Sequence, residues 1–301
     1  MKLAAISPND VVTAAVIMAM MLEVPFLNNL EFMRTTSEAV PYKPTDVADM
    51  TGEFRAKGSD WAGATPISHT PTSAALGIFG EPVTIDKFEK QTHMDIPALK
   101  TAKMRSVGKA LAKDLVKYVF TGSGASNQWK GITPIVETSG LGIEVALATN
   151  GLDLNTTSNW QTFFMTLNEY IAAYNPSVIA MNPTFWTWFT WVAEERHALT
   201  WAKNEYGQMI HYYNGIPIIP IRGSAIPSTE TQGTSSDCTS LYLLKFGELS
   251  DITIYTTMGI DVTDFVKVGS SPLEEGAIDI AMTPVLYNND ALIRIKGARF
   301  V

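Results

Sequence analysis

The stretch DIPALKTAKMRSVGKALAKDLVKYVFTG, residues 95–122, decides the architecture of this sequence. Asp95, Ile96 and Pro97 form a helix start, and Thr121-Gly122 marks its end. The apolar residues between them recur near helical spacing: Leu99, Ala102, Val107, Leu111, Leu115 and Val119. A helix of about 25 residues is about 37 Å long, roughly twice the common globular length. The sequence therefore predicts a spine helix here.

The polar side of this helix carries a row of cations. Arg105, Lys109, Lys113 and Lys117 recur at intervals of four, with Asp114 as the nearby acidic residue. Residues four apart lie on one helix face, so the four side chains form a basic stripe. A solvated face that pairs with acidic groups is the simplest interpretation of this stripe.

Working outward toward the N-terminus, residues 11–22 form the most apolar run of the chain. This run is shorter than the roughly 20 residues that a membrane-spanning helix needs, so no membrane association is expected. Ser7 as N-cap, Pro8 at the first helical position and Asp10 in the first turn predict the start of a short helix. Its apolar face should pack against the body of the protein or a neighbouring spine. That face comprises Val12, Val16, Ala19 and Met20.

Between that helix and the spine, residues 32–82 are rich in Thr, Gly, Pro and Ala and show little helical periodicity. So long an irregular stretch is unusual inside a compact domain and is typical of a functional projection. We interpret it as a long two-stranded loop whose residues 45–75 protrude. Residues 83–88 then alternate as a strand.

The part that follows the spine has an α/β texture. It predicts a helix at 158–174, a strand at 178–181, a helix after Asn182-Pro183 and a strand at 216–221. Residues 223–240 are rich in Ser, Thr and Gly and predict a loop. Further strands are expected at 241–246, 252–256, 277–282 and 291–295, the last returning to the spine.

Composition excludes several classes of protein. The chain has 301 residues, 46% of them hydrophobic, which is enough for a substantial core. A formal net charge of -8 argues against a protein whose main task is to bind nucleic acid through a basic surface. Cys238 is the single cysteine, so an internal disulfide and a cysteine-based metal site are both excluded. Metalloprotease, Walker and nucleophile-elbow motifs are absent, and we expect no enzyme, catalytic residue, cofactor or metal.

Two groups of side chains could suggest ligand sites. His93 with Asp86 and Asp95 could be drawn as a metal site, although a capped helix start explains the same residues and is favoured. His197 and His211 flank an aromatic segment that could form a ligand cage, with a contact surface as the alternative. That segment contains Trp201, Tyr206, Tyr212 and Tyr213.

The helix after Asn182-Pro183 is rich in tryptophan. Trp188 and Trp191 share a face, and Trp186 lies away from it. Aromatic residues are enriched at the centres of protein interfaces, so we expect Trp188 and Trp191 to contact another subunit. Packing within the core is the alternative.

The order of these features resembles the HK97-like major capsid proteins of tailed bacteriophages. The resemblance rests on the N-terminal segment, the polar hairpin, the strand at 82–88, Gln91-Thr92 and the spine. It also rests on residues 121–132, 180–183 and 213–220. It covers essentially the whole chain and implies an α+β fold. It further implies an N-terminal arm at 1–31, an E-loop at 32–82, a P-domain at 83–150, an A-domain at 151–274 and strands returning to the P-domain at 275–301.

The same resemblance implies a function. Pentamers and hexamers of the chain would form an icosahedral shell around double-stranded DNA, with Arg105, Lys109, Lys113 and Lys117 facing the DNA. A separate scaffolding protein and a portal are the expected partners, and the virion, assembled in the host cytoplasm, is the expected location. An encapsulin-type shell around protein cargo is the alternative. The expected contact residues are Val16, Lys57, Trp61, Trp188 and Trp191, and Lys57 could be cross-linked to Asn288 or Asn289.

Overall fold

The computed structural model describes residues 1–8, 10–42, 44, 55, 57–58, 72–92, 95–204, 206–267, 269 and 271–300. The helices are α1 (Leu3–Ile6), α2 (Val11–Glu23), α3 (Lys87–Thr92), α4 (Ile96–Thr121), α5 (Ile132–Ser139), α6 (Thr157–Tyr174) and α7 (Pro183–Glu195). The strands are β1 (Phe32–Arg34), β2 (Ala39–Tyr42), β3 (Thr72–Ala75), β4 (Gly77–Asp86), β5 (Ile143–Ala146), β6 (Leu152–Asp153), β7 (Val178–Met181), β8 (Leu199–Lys203), β9 (Met209–Tyr213), β10 (Ile216–Pro220), β11 (Glu230–Gln232), β12 (Ser235–Leu244), β13 (Ile252–Lys267), β14 (Leu273–Leu286) and β15 (Leu292–Arg299). Two short 3-10 turns span Pro25–Asn29 and Asn289–Ala291.

Helix α4 is the predicted spine, and its bounds confirm the sequence prediction. It has 26 residues and begins after Asp95, whose side chain accepts a hydrogen bond from the Ala98 amide at 3.0 Å. Such a cap satisfies one of the free amides of the first turn. Leu111, Leu115 and Val119 are buried on the inward face. The apolar periodicity of this segment therefore reflects a face that packs on the body of the protein.

A four-stranded sheet packs against α4. Its strands lie in the order β1, β13, β14, β4; β1 is parallel to β13 and the other pairs are antiparallel. Val83 and Ile85 of β4 are buried, and Met104 of α4 reaches Gly276 of β14, where an added Cβ would lie 2.6 Å from its Cε. Strand β13 falls inside the range 151–274 that the resemblance gives to the A-domain, yet it pairs within this sheet.

A nine-stranded sheet forms the second layer. Its main path is β5, β15, β12, β7, β10, β9, β8, with β11 added to β12 and β6 to β15. Helices α6 and α7 contribute Phe163, Phe185 and Phe189 to a core that also contains Ile179 and Leu241 of the sheet. Residues 291–295, expected to return to the spine, pair with β12 and β5 through β15, and Leu292 shares a hydrophobic core with Leu115 and Phe120 of α4.

The prediction of a loop at 223–240 is partly wrong. The segment contains β11 and the beginning of β12, and Cys238, Thr239 and Ser240 are buried. Their composition predicts a loop, but Cys238 and Thr239 pair with Arg299 and Ala298 of β15. Cross-strand pairing with a distant segment therefore decides the structure here, not local preference.

Arg294 of β15 lies at the centre of a buried ion cluster. Its side chain is 6% exposed, and its guanidinium donates hydrogen bonds to Glu137, Glu144, Glu230 and the Ser240 hydroxyl. The Glu230 side chain is 13% exposed, whereas those of Glu137 and Glu144 are 49% and 32% exposed. These partners lie on α5, β5, β11 and β12, so one side chain joins four elements to β15.

A substitution at Glu230 tests whether burial of its carboxylate destabilises the fold more than the pairing with Arg294 stabilises it. Burial raises the pKa of Glu230, and Arg294 opposes the rise. A carboxyl group with a raised folded-state pKa stabilises the fold below its unfolded pKa, and this contribution is lost as the pH rises through the folded pKa. Glu230→Gln mimics the protonated form, so its free energy of unfolding should improve relative to wild type as the pH rises through that window. Urea unfolding at several pH values measures the trend, and the opposite trend would contradict it.

The N-terminal segment begins differently from the prediction. Asp10, not Ser7, caps α2, and its side chain accepts hydrogen bonds from the amides of Val12 and Thr13, both at 2.9 Å. The Ser7 hydroxyl instead accepts a hydrogen bond from the Ile260 amide of β13 at 3.0 Å. This hydrogen bond from β13 to Ser7 therefore links the end of α1 to the four-stranded sheet.

Helix α2 packs on α4 of the same chain. A Cβ added at Gly108 would lie 2.9 Å from Val16 Cγ1, so the glycine permits the close approach of the two helices. Val16 and Met20 are fully buried there. Val16, expected to contact a neighbouring subunit, is thus enclosed by its own subunit because α2 docks on the spine. Across the described ranges, no helix has the length and apolar character needed to cross a bilayer.

Strands β2 and β3 form the root of the expected hairpin. They pair antiparallel, and Val40 packs in a small core with Tyr255 and Val285 of the four-stranded sheet. The Tyr42 ring stands edge-on to the Tyr287 ring, with centroids 6.1 Å apart. Strand β2 is therefore packed against the four-stranded sheet through Val40 and Tyr42. The protrusion expected for 45–75 falls mostly on residues outside those that the structure describes.

Candidate assembly surfaces

The outward face of α2 is apolar and exposed. Val11, Met18 and Leu22 are 86%, 53% and 42% exposed, and spacings of seven and four residues place them on one side of the helix. Because the opposite side packs on α4, α2 is apolar on both sides, as is typical of a helix that is covered all round. We call this row the outer α2 face. The sequence analysis missed it, although residues 11–22 contain more apolar positions than one face requires.

A shallow groove separates the outer α2 face from α4. Met18 and Leu22 line one side, and Ala102, Arg105 and Lys109 line the other. The groove therefore combines an apolar floor, formed by Met18, Leu22 and Ala102, with a cationic rim formed by Arg105 and Lys109. Such a surface suits a partner segment that carries both apolar and acidic residues.

The four residues of the basic stripe occupy different environments. Lys113 forms an ion pair with Glu23 of α2 at 2.9 Å, and this hydrogen bond lowers the pKa of Glu23. Lys117 is half-buried, with its ammonium 5.8 Å from the centre of the Tyr118 ring. Arg105 and Lys109 are exposed at the groove. Among the described residues, Asp114 forms no ion pair with the stripe, so the acidic partner is Glu23.

The tryptophans of α7 divide between core and surface. Trp188 is half-buried, and its ring stacks on Phe185 with centroids 5.4 Å apart. Trp191 is 59% exposed and stands edge-on to Trp160, with centroids 5.8 Å apart. Together with Phe300, these two tryptophans line an open surface groove. Trp191 thus keeps free surface for a contact, whereas Trp188 is mainly packed.

The face of the four-stranded sheet that lies opposite α4 is exposed where β2 and β3 do not cover it. Ile78, Val266 and Leu273 are 78%, 63% and 39% exposed. Strand register places them on the side opposite the buried Val83 and Ile85. The sequence analysis missed Ile78 because it began the strand at residue 83, six residues after β4 begins. It missed Val266 and Leu273 because the strands expected at 252–256 and 277–282 are shorter than β13 and β14.

The remaining predicted contact residues are less well placed. Lys57 is exposed in a turn, and Trp61 lies outside the described residues. Asn288 and Asn289 shape the 3-10 turn after β14, since Asn288 accepts a hydrogen bond from the Asp290 amide and Asn289 from the Gly142 amide. The structure does not bring Lys57 into contact with either asparagine.

The structure describes the two candidate ligand sites only in part. Asp95 caps α4, and His93 lies outside the described residues. Across the described part of the chain, no group of three or more His, Cys, Asp or Glu side chains could hold a metal ion. His211 contacts Trp186, with ring centroids 5.3 Å apart, and lies directly opposite Trp201, which is 67% exposed on the edge strand β8.

Comparisons with known proteins identify the fold. No known protein family and no curated protein matches the sequence. Among solved structures, the SrpI encapsulin of Synechococcus elongatus PCC 7942 aligns with a TM-score of 0.64 and 12% identity, over 91% of this chain and 87% of that chain. The capsid of a native GTA particle aligns with a TM-score of 0.58 and 11% identity, over 93% of this chain and 90% of that chain.

A third structure widens the comparison to a virus. The capsid of Cyanophage P-SCSP1u aligns with a TM-score of 0.54 and 13% identity, over 92% of this chain and 88% of that chain. Identities this low establish the fold alone. The spine helix and the two sheets agree with the α+β class that the resemblance implies. The chain therefore has the α+β HK97-like fold of capsid and encapsulin shell proteins.

Proposed function

We propose that this chain is the major capsid protein of a tailed bacteriophage. The observation that carries the proposal is the HK97-like fold, which extends over about nine-tenths of the chain and is shared with capsid structures. Pentamers and hexamers of the chain would build an icosahedral shell around double-stranded DNA. A separate scaffolding protein and a portal would complete assembly in the host cytoplasm. The chain would then act as a structural subunit and not as an enzyme.

The exposed surfaces support an assembling protein. The outer α2 face presents apolar side chains to solvent in one row along the helix. Contiguous exposed apolar patches on a folded protein are typical of interaction sites. The projection that the resemblance implies for residues 45–75 would lose conformational entropy on becoming ordered, and contacts on a neighbour would offset that loss.

The basic stripe provides a test of DNA enclosure. Arg105 and Lys109 are exposed, and sequence-independent contact with phosphates requires only cations on a surface. We expect a chain with Lys109→Gln and Lys113→Gln to form shells normally but to retain DNA more weakly and with greater sensitivity to salt. Nuclease protection of shell DNA at increasing salt concentration measures this. A control with Lys203→Gln and Lys245→Gln removes the same charge outside α4.

The other outcomes of this experiment are informative. Failure of assembly in the α4 variant alone would make the stripe a subunit contact. Unchanged assembly with unchanged DNA retention would leave the stripe as a solvated face. The net charge of -8 opposes a DNA lining, so the proposal also requires acidic residues to lie mainly on the outer surface or in subunit contacts.

An encapsulin-type compartment is the second candidate function. The groove between α2 and α4 favours it, because an apolar floor with a cationic rim beside an N-terminal helix could hold the targeting peptide of a protein cargo. Analysis of purified particles distinguishes the two functions. Double-stranded DNA that resists nuclease supports the capsid, whereas an enclosed enzyme without DNA supports the compartment.

A further inference from the structure

Strand β11 forms one wall of a polar cavity beside the Arg294 cluster. The cavity has a volume of about 380 Å³ and is lined by residues of α5, β5, β11, β12 and β15. Strand β11 pairs with the beginning of β12 through Glu230 with Cys238 and Gln232 with Ser235, and the register shifts between these two pairs. A strand with so few cross-strand pairs contributes little of its own to holding the cavity wall in place.

The segment that carries β11 is attached to the body by polar contacts. Residues 227–236 contain Pro, Ser, Thr, Glu, Gln and Gly, and none of them is buried in the core, whereas Ile226 just before them is fully buried. The Gln232 side chain donates a hydrogen bond to the Ala148 carbonyl at 3.4 Å. Glu230 is the charged residue of the segment. Segments without buried apolar contacts open at a small cost in free energy, so residues 227–236 can open while the rest of the fold stays intact.

Glu230 brings an excess of negative charge into the cavity. Its carboxylate accepts hydrogen bonds from the Arg294 guanidinium and the Ser240 hydroxyl, and its side chain is 13% exposed. Three carboxylates share two cations around the cavity, so the fully ionised cluster has one negative charge in excess. The titratable and charged groups that surround Glu230 are Glu137 of α5, Glu144 of β5, Cys238 and Tyr242 of β12, and Arg294 and Lys296 of β15.

We propose that β11 is a pH-sensitive flap over this cavity, closed while Glu230 is protonated and opening more often once Glu230 is ionised. When the flap is closed, the ionised carboxylate loses hydration beside two other carboxylates, and the pairing with Arg294 offsets this loss in part. When the flap opens, the carboxylate returns to water. Burial raises the pKa of Glu230, so closure is strongest below the ordinary pKa of a glutamate and weakens as the pH rises through the raised pKa. The flap does not depend on the proposed shell function.

Cys238 reports the opening of the flap. It is the single cysteine of the chain, is 0% exposed, lines the cavity and pairs with Glu230 across β11 and β12. The thiol reagent dithiodipyridine therefore reaches it when the flap opens. We expect the full chain to react several-fold faster than Glu230→Gln, whose side chain stays uncharged, at about pH 8, and at a similar rate at about pH 5. Comparing the two proteins at each pH cancels the change in the thiolate fraction of Cys238.

Glu169→Gln is the matched control, because Glu169 is exposed on α6 and does not line the cavity. Its thiol should react as in wild type at both pH values. Hydrogen exchange of wild type alone gives a second measurement that does not require the Glu230 variant to fold. Protection of residues 227–236, corrected for the intrinsic exchange rate, should fall more steeply with rising pH than protection of β15.

Three results would overturn the flap. The first is a ratio of wild-type to Glu230→Gln reaction rates that is the same at both pH values. The second is a Glu230→Gln thiol that reacts faster than the wild-type thiol at about pH 8. The third is wild-type protection of residues 227–236 that does not fall with pH relative to β15.

Discussion

Replacing Val16 with aspartate should lower the free energy of unfolding of the subunit by about 3–5 kcal/mol, the range for an uncompensated buried charge. Val16 is 0% exposed, and its Cγ1 lies against the Gly108 position on α4. A carboxylate there loses its hydration and finds apolar neighbours, so it must either protonate or separate the two helices. Urea unfolding of the purified subunit measures the loss. Because the contact between Val16 and α4 lies inside one chain, the substitution should destabilise the isolated subunit itself and not only the assembled shell.

Met18→Asp is the matched control on the same helix. Met18 is 53% exposed on the outer α2 face, so the same charge remains in water. Its effect on the free energy of unfolding should stay within about 0.5 kcal/mol. If the outer α2 face is covered in the shell, Met18→Asp should block assembly of a stable subunit. Equal stabilities for the two variants would show that α2 does not dock through Val16.

Replacing Arg294 with methionine is the second change with a large expected effect, again about 3–5 kcal/mol. The substitution keeps much of the side-chain volume but leaves the Glu230 carboxylate, 13% exposed, without its guanidinium partner. Glu137 and Glu144 can turn to solvent more readily because they are more exposed. Thermal and urea unfolding of the variant measure the loss.

Two further variants separate the charge effect from packing. The double variant Arg294→Met with Glu230→Gln removes the buried charge as well as its partner, and should recover part of the lost stability. Arg299 lies on the same strand as Arg294, and Arg299→Met breaks its ion pair with Asp237 of β12. Because both partners are well solvated, the loss of stability should be much smaller than for Arg294→Met. Equal losses for Arg294→Met and Arg299→Met would contradict the buried cluster.

Local chemistry predicted the spine well. Asp95, Pro97 and the apolar residues up to Val119 specify a helix without help from the rest of the chain, and α4 has the bounds they indicate. Helix α7 behaves in the same way, because Asn182 caps it and Pro183 begins it. Such segments carry their boundary information in the adjacent residues.

Other features depend on contacts with distant parts of the chain. Local sequence favours Ser7 as a helix cap, but its hydroxyl accepts a hydrogen bond from the Ile260 amide of a distant strand. Asp10 caps α2 instead. Alternation identifies β15 as a strand but cannot show that its partners are β12 and β5. The exposed apolar residues of α2 were missed for a related reason, since periodicity shows where a core lies but not what covers the outer side.

Negative-stain electron microscopy of the purified full-length chain tests the central claim most directly. If the chain is a shell subunit with the HK97-like fold, it should form closed icosahedral shells, tubes or large assemblies built from the same subunit contacts. Met18→Asp, folded but altered on the outer α2 face, should reduce or abolish these particles. A wild-type chain that stays a stable monomer at high concentration would contradict the account.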